Sequence, residues 1–180
     1  MNAWDAVVRF LADHHGVIDR TELTRLGIGR GQIARWVAER RLERVGPRVW
    51  RLTGSPPTWE QALQAGLLSL GPRAAVSHGA AAALQVFDRW LPGPLEYLVP
   101  FELRGASSTG TVHSTRSLGR SDIVTVRGFR TTSATRTIID LAGARVEPVQ
   151  LTAAIDSAVR LGLSAPIVIT RRLATLDGAG

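Results

Sequence analysis

Arginines are concentrated in one short stretch of the sequence. Between Arg30 and Arg51 there are seven arginines and two glutamates, a net charge of +5, whereas the whole chain of 180 residues carries +7. The chain contains no lysine, so arginine itself reflects composition, and the clustering is the informative feature. A concentrated cationic segment in a protein with pI near 11.5 favours an anionic partner, with nucleic acid first.

The residue types in this stretch suit double-stranded DNA. Gln32 and Arg35 lie on one face of a predicted helix, and their forked side chains match the edges of adenine and guanine. Arg30 stands at the positive end of that helix, where a phosphate would offset the unfavourable interaction with the helix dipole. Arg48 lies at the tip of a predicted hairpin. We therefore predict DNA contacts from Arg30, Gln32, Arg35, Arg40, Arg44 and Arg48.

Three helices and a hairpin must position these side chains. Apolar residues at i, i+3, i+4 and i+7 predict a helix over 3–14, and Asp19 followed by Glu22 indicates the start of a short helix over 20–26. A "GIG" turn precedes a helix over 30–41, with Ile33, Trp36 and Val37 directed inward. The stretch "LERVGPRVWRL" predicts two short strands around a turn. This order is typical of a winged helix-turn-helix domain, which we assign to residues 1–54.

A second domain of mixed type follows the linker "TGSPPT". It is expected over 57–180, beginning with an amphipathic helix over 59–70. Four runs typical of strands lie between 95 and 132. A turn beginning at residue 75 is predicted to lead into a helix after Ser77, and further helices are predicted over 133–143, with Ser133 as its cap, and over 147–162 and 164–176. The predicted fold class is α+β, with an N-terminal winged helix-turn-helix followed by a mixed α/β domain.

Other residues that could do chemistry have structural interpretations. Ser77 before His78 is interpreted as a helix cap, the pair His14–His15 as the end of a helix, and Asp140 as a structural partner of Arg136. The sequence has no glycine-rich phosphate loop, zinc motif or catalytic triad, so we predict no enzyme, no cofactor and no metal site. Without cysteine, a secretory signal or an apolar run of about 18 residues, the chain is expected in the cytoplasm.

Several motifs resemble the AbiEi-like antitoxins of type IV toxin–antitoxin systems. In the N-terminal region they are "GVIDRTEL", "LGI" and "RLERVGPRVWRL". In the second region they are "AVSHGAAAAL", "RGFRTTSATRTIIDLA" and "AIDSAVRLGL". The wing differs from the family's usual "GVY", since this chain has "GPRVW". The resemblance spans nearly the whole chain and is carried mostly by residues of structural type.

The resemblance implies a DNA-binding transcriptional autorepressor. Such a protein binds inverted repeats at its own promoter, as a monomer or weak dimer, and its second domain is linked to neutralising a nucleotidyltransferase-like toxin. The recognition-helix role would fall on Arg30, Gln32 and Arg35, and the wing role on Arg48. Longer relatives continue into a Vsr-like endonuclease domain. This chain stops at "TLDGAG", where that domain would begin, as expected of a short form or a truncated chain.

Three functions stay open at the level of sequence. The first is a repressor and antitoxin that binds a specific promoter without catalysis. The second is the DNA-targeting part of a Vsr-like endonuclease protein, and the third is a protein-interaction module whose basic face meets an acidic partner. RNA is a further possible ligand, although few aromatic residues are interleaved with the arginines for stacking on single strands.

Overall fold

The structure, a computed structural model, describes residues 2–104 and 109–177. The described residues divide into two units, the first over residues 2–72 with residue 109, and the second over the remaining ones. Across the described residues no helix combines the length and apolar character needed to cross a membrane.

The first unit contains helices and a small antiparallel sheet. Its middle strand pairs with both neighbours, Val17 opposite Arg51 on one side and Glu43 opposite Arg51 on the other. Its elements are α1 (Ala3–Asp13), β1 (Val17–Asp19), α2 (Arg20–Arg25), α3 (Arg30–Ala38), β2 (Leu42–Gly46), β3 (Val49–Leu52) and α4 (Trp59–Leu70), with sheet order β1-β3-β2. The first three helices and the β2–β3 hairpin form a winged helix-turn-helix, as predicted.

Apolar residues at helical spacing build the core of this unit. Val7 and Leu11 of α1 pack with Ile33 and Trp36 of α3, and all four are at most 4% exposed. The rings of Trp4 and Trp36 meet edge to face with centroids 4.9 Å apart. Burial of these side chains contributes about 25 cal/mol per Å² of apolar area. This packing fixes α3 against α1 and determines which of its faces stays in solvent.

Helix α3 is shorter than predicted. It ends at Ala38 because Arg40 adopts a left-handed conformation with φ of +55°. The N–H of Arg40 then donates to the carbonyl of Val37, and the N–H of Arg41 donates to that of Trp36, the pattern of a Schellman motif. The predicted inward position of Val37 is also wrong, since this residue is 38% exposed.

Helix α4 packs on the sheet of the first unit. Its Ala65 and Leu68 lie against Val17 and Val49, which are fully buried. Gln61 receives a hydrogen bond from Arg51 at 3.0 Å and donates to the carbonyl of His15 at 3.2 Å. The compact unit therefore includes the helix over 59–70, which sequence analysis placed in the second domain. An apolar sheet face needs a covering element, and α4 provides it.

The second unit is built on a five-stranded mixed sheet of order β6-β5-β4-β8-β7. Its central strand β4 runs antiparallel to β5 and parallel to β8. Its elements are β4 (Ala75–Val76), α5 (His78–Leu84), β5 (Glu96–Pro100), β6 (Thr111–Thr115), β7 (Ile123–Val126), β8 (Phe129–Thr132), α6 (Ala134–Gly143), α7 (Pro148–Arg160) and α8 (Pro166–Asp177). The four strands predicted between 95 and 132 are confirmed, whereas β4 was predicted as a turn.

The starts of two helices test the predicted caps. The Ser133 hydroxyl accepts the N–H of Arg136 and caps α6 as predicted. Ser77 precedes α5 but makes no capping hydrogen bond, so that interpretation is wrong. The N–H of Gly79, which a cap would accept, instead donates to Oε2 of Glu96 at 2.8 Å. Ser77 Oγ lies 2.9 Å from Nδ1 of His78.

A buried ionic network joins elements of the second unit. Arg136 donates to Asp140 at 2.8 Å, which confirms the predicted pair, and also lies 3.5 Å from Asp122. Arg172 of α8 donates to Asp122 at 2.8 Å. Burial raises the pKa of Asp140, an effect that the charge of Arg136 opposes. Paired in this way, the charged groups tolerate positions that would be very unfavourable for any one of them alone.

Candidate nucleic-acid interface

A tight turn sets α3 at an angle to α2. Gly27 ends α2 with φ of +79°, a conformation that glycine adopts without strain. The N–H of Ile28 returns to the carbonyl of Leu23, and Ile28 is buried. The Asp19 cap at the start of α2 is confirmed, because its carboxylate accepts the N–H of Glu22 at 2.8 Å. In a capping box the Glu22 side chain would also accept the backbone N–H of Asp19, but it forms a salt bridge with Arg25 instead.

A concave surface, here called the arginine groove, lies between α2, α3 and the β2–β3 hairpin. Among the residues that the structure describes, four arginines and no acidic residue line it. The lining residues are Arg20, Thr21 and Thr24 of α2, Arg30, Ile33, Ala34 and Val37 of α3, and Arg44, Arg48 and Trp50 of the hairpin. The lining thus combines apolar side chains with four guanidinium groups, which suits a polyanion.

The arginines of the groove lack acidic partners. Within the part of the chain that the structure describes, none of Arg20, Arg30, Arg44 and Arg48 forms an ion pair. Four other arginines of the same unit are paired, namely Arg25 with Glu22, Arg35 and Arg41 with Glu39, and Arg51 with Glu43. Of the first unit's arginines that form no ion pair within the described chain, Arg9 and Arg40 lie outside the groove and the other four line it.

Arg48 occupies an unfavourable backbone conformation at the tip of the hairpin. Its φ is +62°, although this region favours glycine, and Pro47 precedes it in the turn. Its carbonyl accepts the N–H of Arg20 at 2.9 Å, which ties the tip to the start of α2. Non-glycine residues in this region cost on the order of 1 kcal/mol or more and are common at functional sites.

The predicted recognition residues occupy two stripes of α3. Arg30, at the start of the helix, lines the groove together with Ala34 and Val37. Successive residues of an α-helix are rotated by about 100° around its axis, so Gln32 and Arg35 lie on the opposite flank of the exposed face. They do not line the groove. Arg35 is exposed and donates to Glu39 at 2.8 Å, and this hydrogen bond lowers the pKa of the Glu39 carboxyl. Gln32 is half-buried.

The structure places Arg40 apart from the groove and adds residues that sequence reasoning missed. Arg40 is exposed at the C-terminal end of α3 and does not line the groove. Arg20, Thr21, Thr24 and Trp50 were not predicted. They reach the groove only because β1 pairs with β3 and brings the start of α2 beside the hairpin. No local sequence pattern marks that pairing.

The helices and the hairpin around the groove are those of a winged helix-turn-helix domain. Residues 5–53 match the family AbiEi_4, described as "Transcriptional regulator, AbiEi antitoxin". The resemblance inferred from the sequence motifs is thereby confirmed for this segment, which is similar to a family of regulators. The match does not extend into the second unit.

One solved structure shows that the fold extends over both units. The crystal structure of RV2827C protein from Mycobacterium tuberculosis has a TM-score of 0.62 and 17% sequence identity to this chain. The similarity covers 97% of this chain and 72% of that one. At this identity the likeness concerns the fold alone. None of the curated proteins compared matches the chain significantly in sequence.

Proposed function

We propose that the first unit binds double-stranded DNA through the arginine groove and the exposed face of α3. The observation that carries this proposal is the position of Arg20, Arg30, Arg44 and Arg48, which converge on one concave face and have no acidic partner in the described chain. Unpaired guanidinium groups repel one another, and phosphates placed between them would remove that repulsion. If the arginines served only solubility, nothing would require them to converge on one concave face.

Helix α3 has the features of a helix that enters the major groove. Gly31, Ala34 and Ala38 are exposed, so the backbone can approach the base edges closely. Gln32 and Arg35 flank this strip and would read bases, while the arginines of the groove and Arg40 hold phosphates. Gly29 provides no side-chain cap, which leaves the first N–H groups of α3 available to a phosphate.

The regulatory role that follows is autorepression within a type IV toxin–antitoxin system. In this proposal the protein binds inverted repeats in its own promoter as a monomer or weak dimer, and occupancy blocks transcription without catalysis. The second unit would act on a nucleotidyltransferase-like toxin. The match of residues 5–53 to a transcriptional-regulator and antitoxin family supports this reading.

Fluorescence anisotropy with the upstream region of the gene tests the DNA-binding proposal. One variant replaces the groove arginines by glutamine (R20Q, R30Q, R44Q and R48Q). A matched control replaces four exposed arginines elsewhere (R9Q, R89Q, R145Q and R171Q). Both variants lower the formal charge from +7 to +3. Titrations over a range of salt concentrations, with cognate and scrambled duplexes, separate positioning contacts from base reading.

The groove variant should lose most of its affinity for both duplexes. Its plot of log affinity against log salt should flatten by about 0.9 per phosphate contact removed. The control should keep most of the cognate affinity and nearly the same slope. Equal losses in the two variants would show that overall charge alone governs binding and would contradict the proposal. Absence of binding to either duplex at low salt would favour a protein-interaction module instead.

A further inference from the structure

Three potential metal ligands meet in the second unit, although they are far apart in sequence. His78 is the first residue of α5, Glu96 begins β5, and His113 lies in the middle of β6. One ligand atom from each lies within 4.8 Å of the others. We propose that His78, Glu96 and His113 bind a divalent transition-metal ion, with Zn²⁺ as the first candidate.

The sheet brings these residues together. Strand β4 ends directly before Ser77 and His78, and it pairs with β5 through Val76 and Tyr97. Strand β5 pairs in parallel with β6, so that Leu98 lies opposite His113. Glu96 and Leu98 point to the same face because side chains alternate along a strand. His113 is therefore a diagonal neighbour of Glu96, and its Nε2 lies 3.4 Å from Oε1.

Neighbouring groups fix the orientation of two of the proposed ligands. Ser77 Oγ lies 2.9 Å from Nδ1 of His78, which leaves Nε2 as the ligand atom when Nδ1 carries the proton. The N–H of Gly79 donates to Oε2 of Glu96 and leaves Oε1 on the side of His113. A Cβ at position 79 would lie 2.9 Å from Oε2, so glycine leaves room for this contact. Such outer contacts are typical around metal ligands.

The two imidazoles are held close together, and one of them is strained. The ring centroids of His78 and His113 are 3.6 Å apart, with 23° between the ring planes. His78 is only 7% exposed and has φ of +49°, a backbone conformation that is strained for a non-glycine residue.

The ligand set indicates the class of ion. Two imidazoles and one carboxylate suit Zn²⁺, Fe²⁺, Co²⁺ or Mn²⁺, and leave coordination positions for water or another ligand. The nitrogen lone pairs of the stacked rings lie in nearly parallel planes, so a rotation of the His113 ring must accompany binding. The His113 side chain is 31% exposed, which gives it space to turn. The proposal does not depend on DNA binding by the first unit.

Metal titration of the full chain tests the site without DNA. After treatment with a chelator and dialysis, Zn²⁺ binding is followed by calorimetry, and Co²⁺ binding by its visible absorption. We expect one tightly bound equivalent, intense Co²⁺ bands of a four- or five-coordinate ion, and a higher Tm with Zn²⁺. The variants are E96Q and H113Q, because these half-buried residues are less critical for folding than His78. Circular dichroism confirms that each variant is folded.

Both variants should weaken Zn²⁺ binding by about 100-fold or more, because each removes a direct ligand. S77A should weaken it by about tenfold, as expected for a residue that orients a ligand. The control H14Q removes an exposed histidine outside the cluster and should bind as the wild-type protein does. The proposal is overturned if the wild-type chain takes up no stoichiometric Zn²⁺ or Co²⁺, or if folded E96Q and H113Q bind with unchanged affinity.

Discussion

Arg136 in the second unit and Arg48 in the first are the same residue type in opposite environments. Arg136 is 4% exposed, donates to Asp140 and lies 3.5 Å from Asp122. Arg48 is exposed at a hairpin tip and has no acidic partner in the described chain. A charge in the interior must be paired, because desolvation would otherwise prevent its burial. A charge left unpaired in a concave surface is available to an external anion.

The largest expected effect is a loss of stability when the buried ionic network around Arg136 is broken. Arg136→Ala would leave Asp140 buried without its cation, whereas Asp122 would keep Arg172, and should reduce the free energy of unfolding by about 3–5 kcal/mol. Urea denaturation monitors this loss. Arg171→Ala, in the exposed part of α8, is the matched control and should change stability by less than about 0.5 kcal/mol. Similar values for the two variants would contradict the interpretation of the buried network.

The pH dependence of the Arg136→Ala variant sharpens this prediction. Burial already raises the pKa of Asp140 in the folded protein, and removal of Arg136 should raise it further. A carboxyl whose folded-state pKa exceeds its unfolded value destabilises the fold most above the folded-state pKa, and this penalty declines as the pH falls from there towards the unfolded-state pKa. The deficit of the variant relative to wild-type protein should therefore shrink on acidification. A deficit that grows would oppose this account.

The next effect concerns base reading by α3. Arg35→Ala should cost about 1–3 kcal/mol in binding to the cognate duplex and much less with a scrambled one. Arg48→Gln, by contrast, should weaken binding to both duplexes equally, because phosphate contacts carry no sequence information. Anisotropy titrations at one salt concentration measure both. If Arg35→Ala weakens both duplexes equally, its base-reading role is wrong.

A smaller effect tests the strain at the hairpin tip. Arg48→Gly should increase stability by about 0.5–1 kcal/mol, because glycine accepts a φ of +62° without strain, yet it should weaken DNA binding. Arg145→Gly relieves a similar conformation, with φ of +56°, at the end of α6 in the second unit. It should give a comparable gain in Tm with no change in affinity. Loss of DNA affinity in both variants would show that the effect is not specific to the hairpin tip.

The smallest effect comes from releasing a paired arginine. Glu39→Gln frees Arg35 and Arg41 from their shared carboxylate. Exposed ion pairs are weak, so we expect DNA affinity to rise only about two- to fivefold. The rise should disappear when Arg35 is also replaced by alanine. A gain that persists in the double variant would assign the effect to general charge rather than to the release of Arg35.

The order of most helices and strands could be predicted from local patterns in the sequence. The spacing of Val7, Leu11, Ile33 and Trp36 predicted helices that the structure confirms, and Ser133 marked the start of α6. The ends were less accurate, as α3 shows, because a Schellman turn with arginine in the glycine position has no sequence signal. Strand β4 was missed because two residues cannot display the alternation of a strand.

The sequence by itself determined the winged helix, the local excess of arginine and the resemblance to a regulator family. These properties depend on periodicity and composition within a few turns of chain. Only the tertiary structure decided that Arg20 joins Arg48 in one groove, and that His78, Glu96 and His113 meet. Both arrangements arise from strand pairing between distant segments, and the register of that pairing is set by packing of the whole unit rather than by any local run of residues.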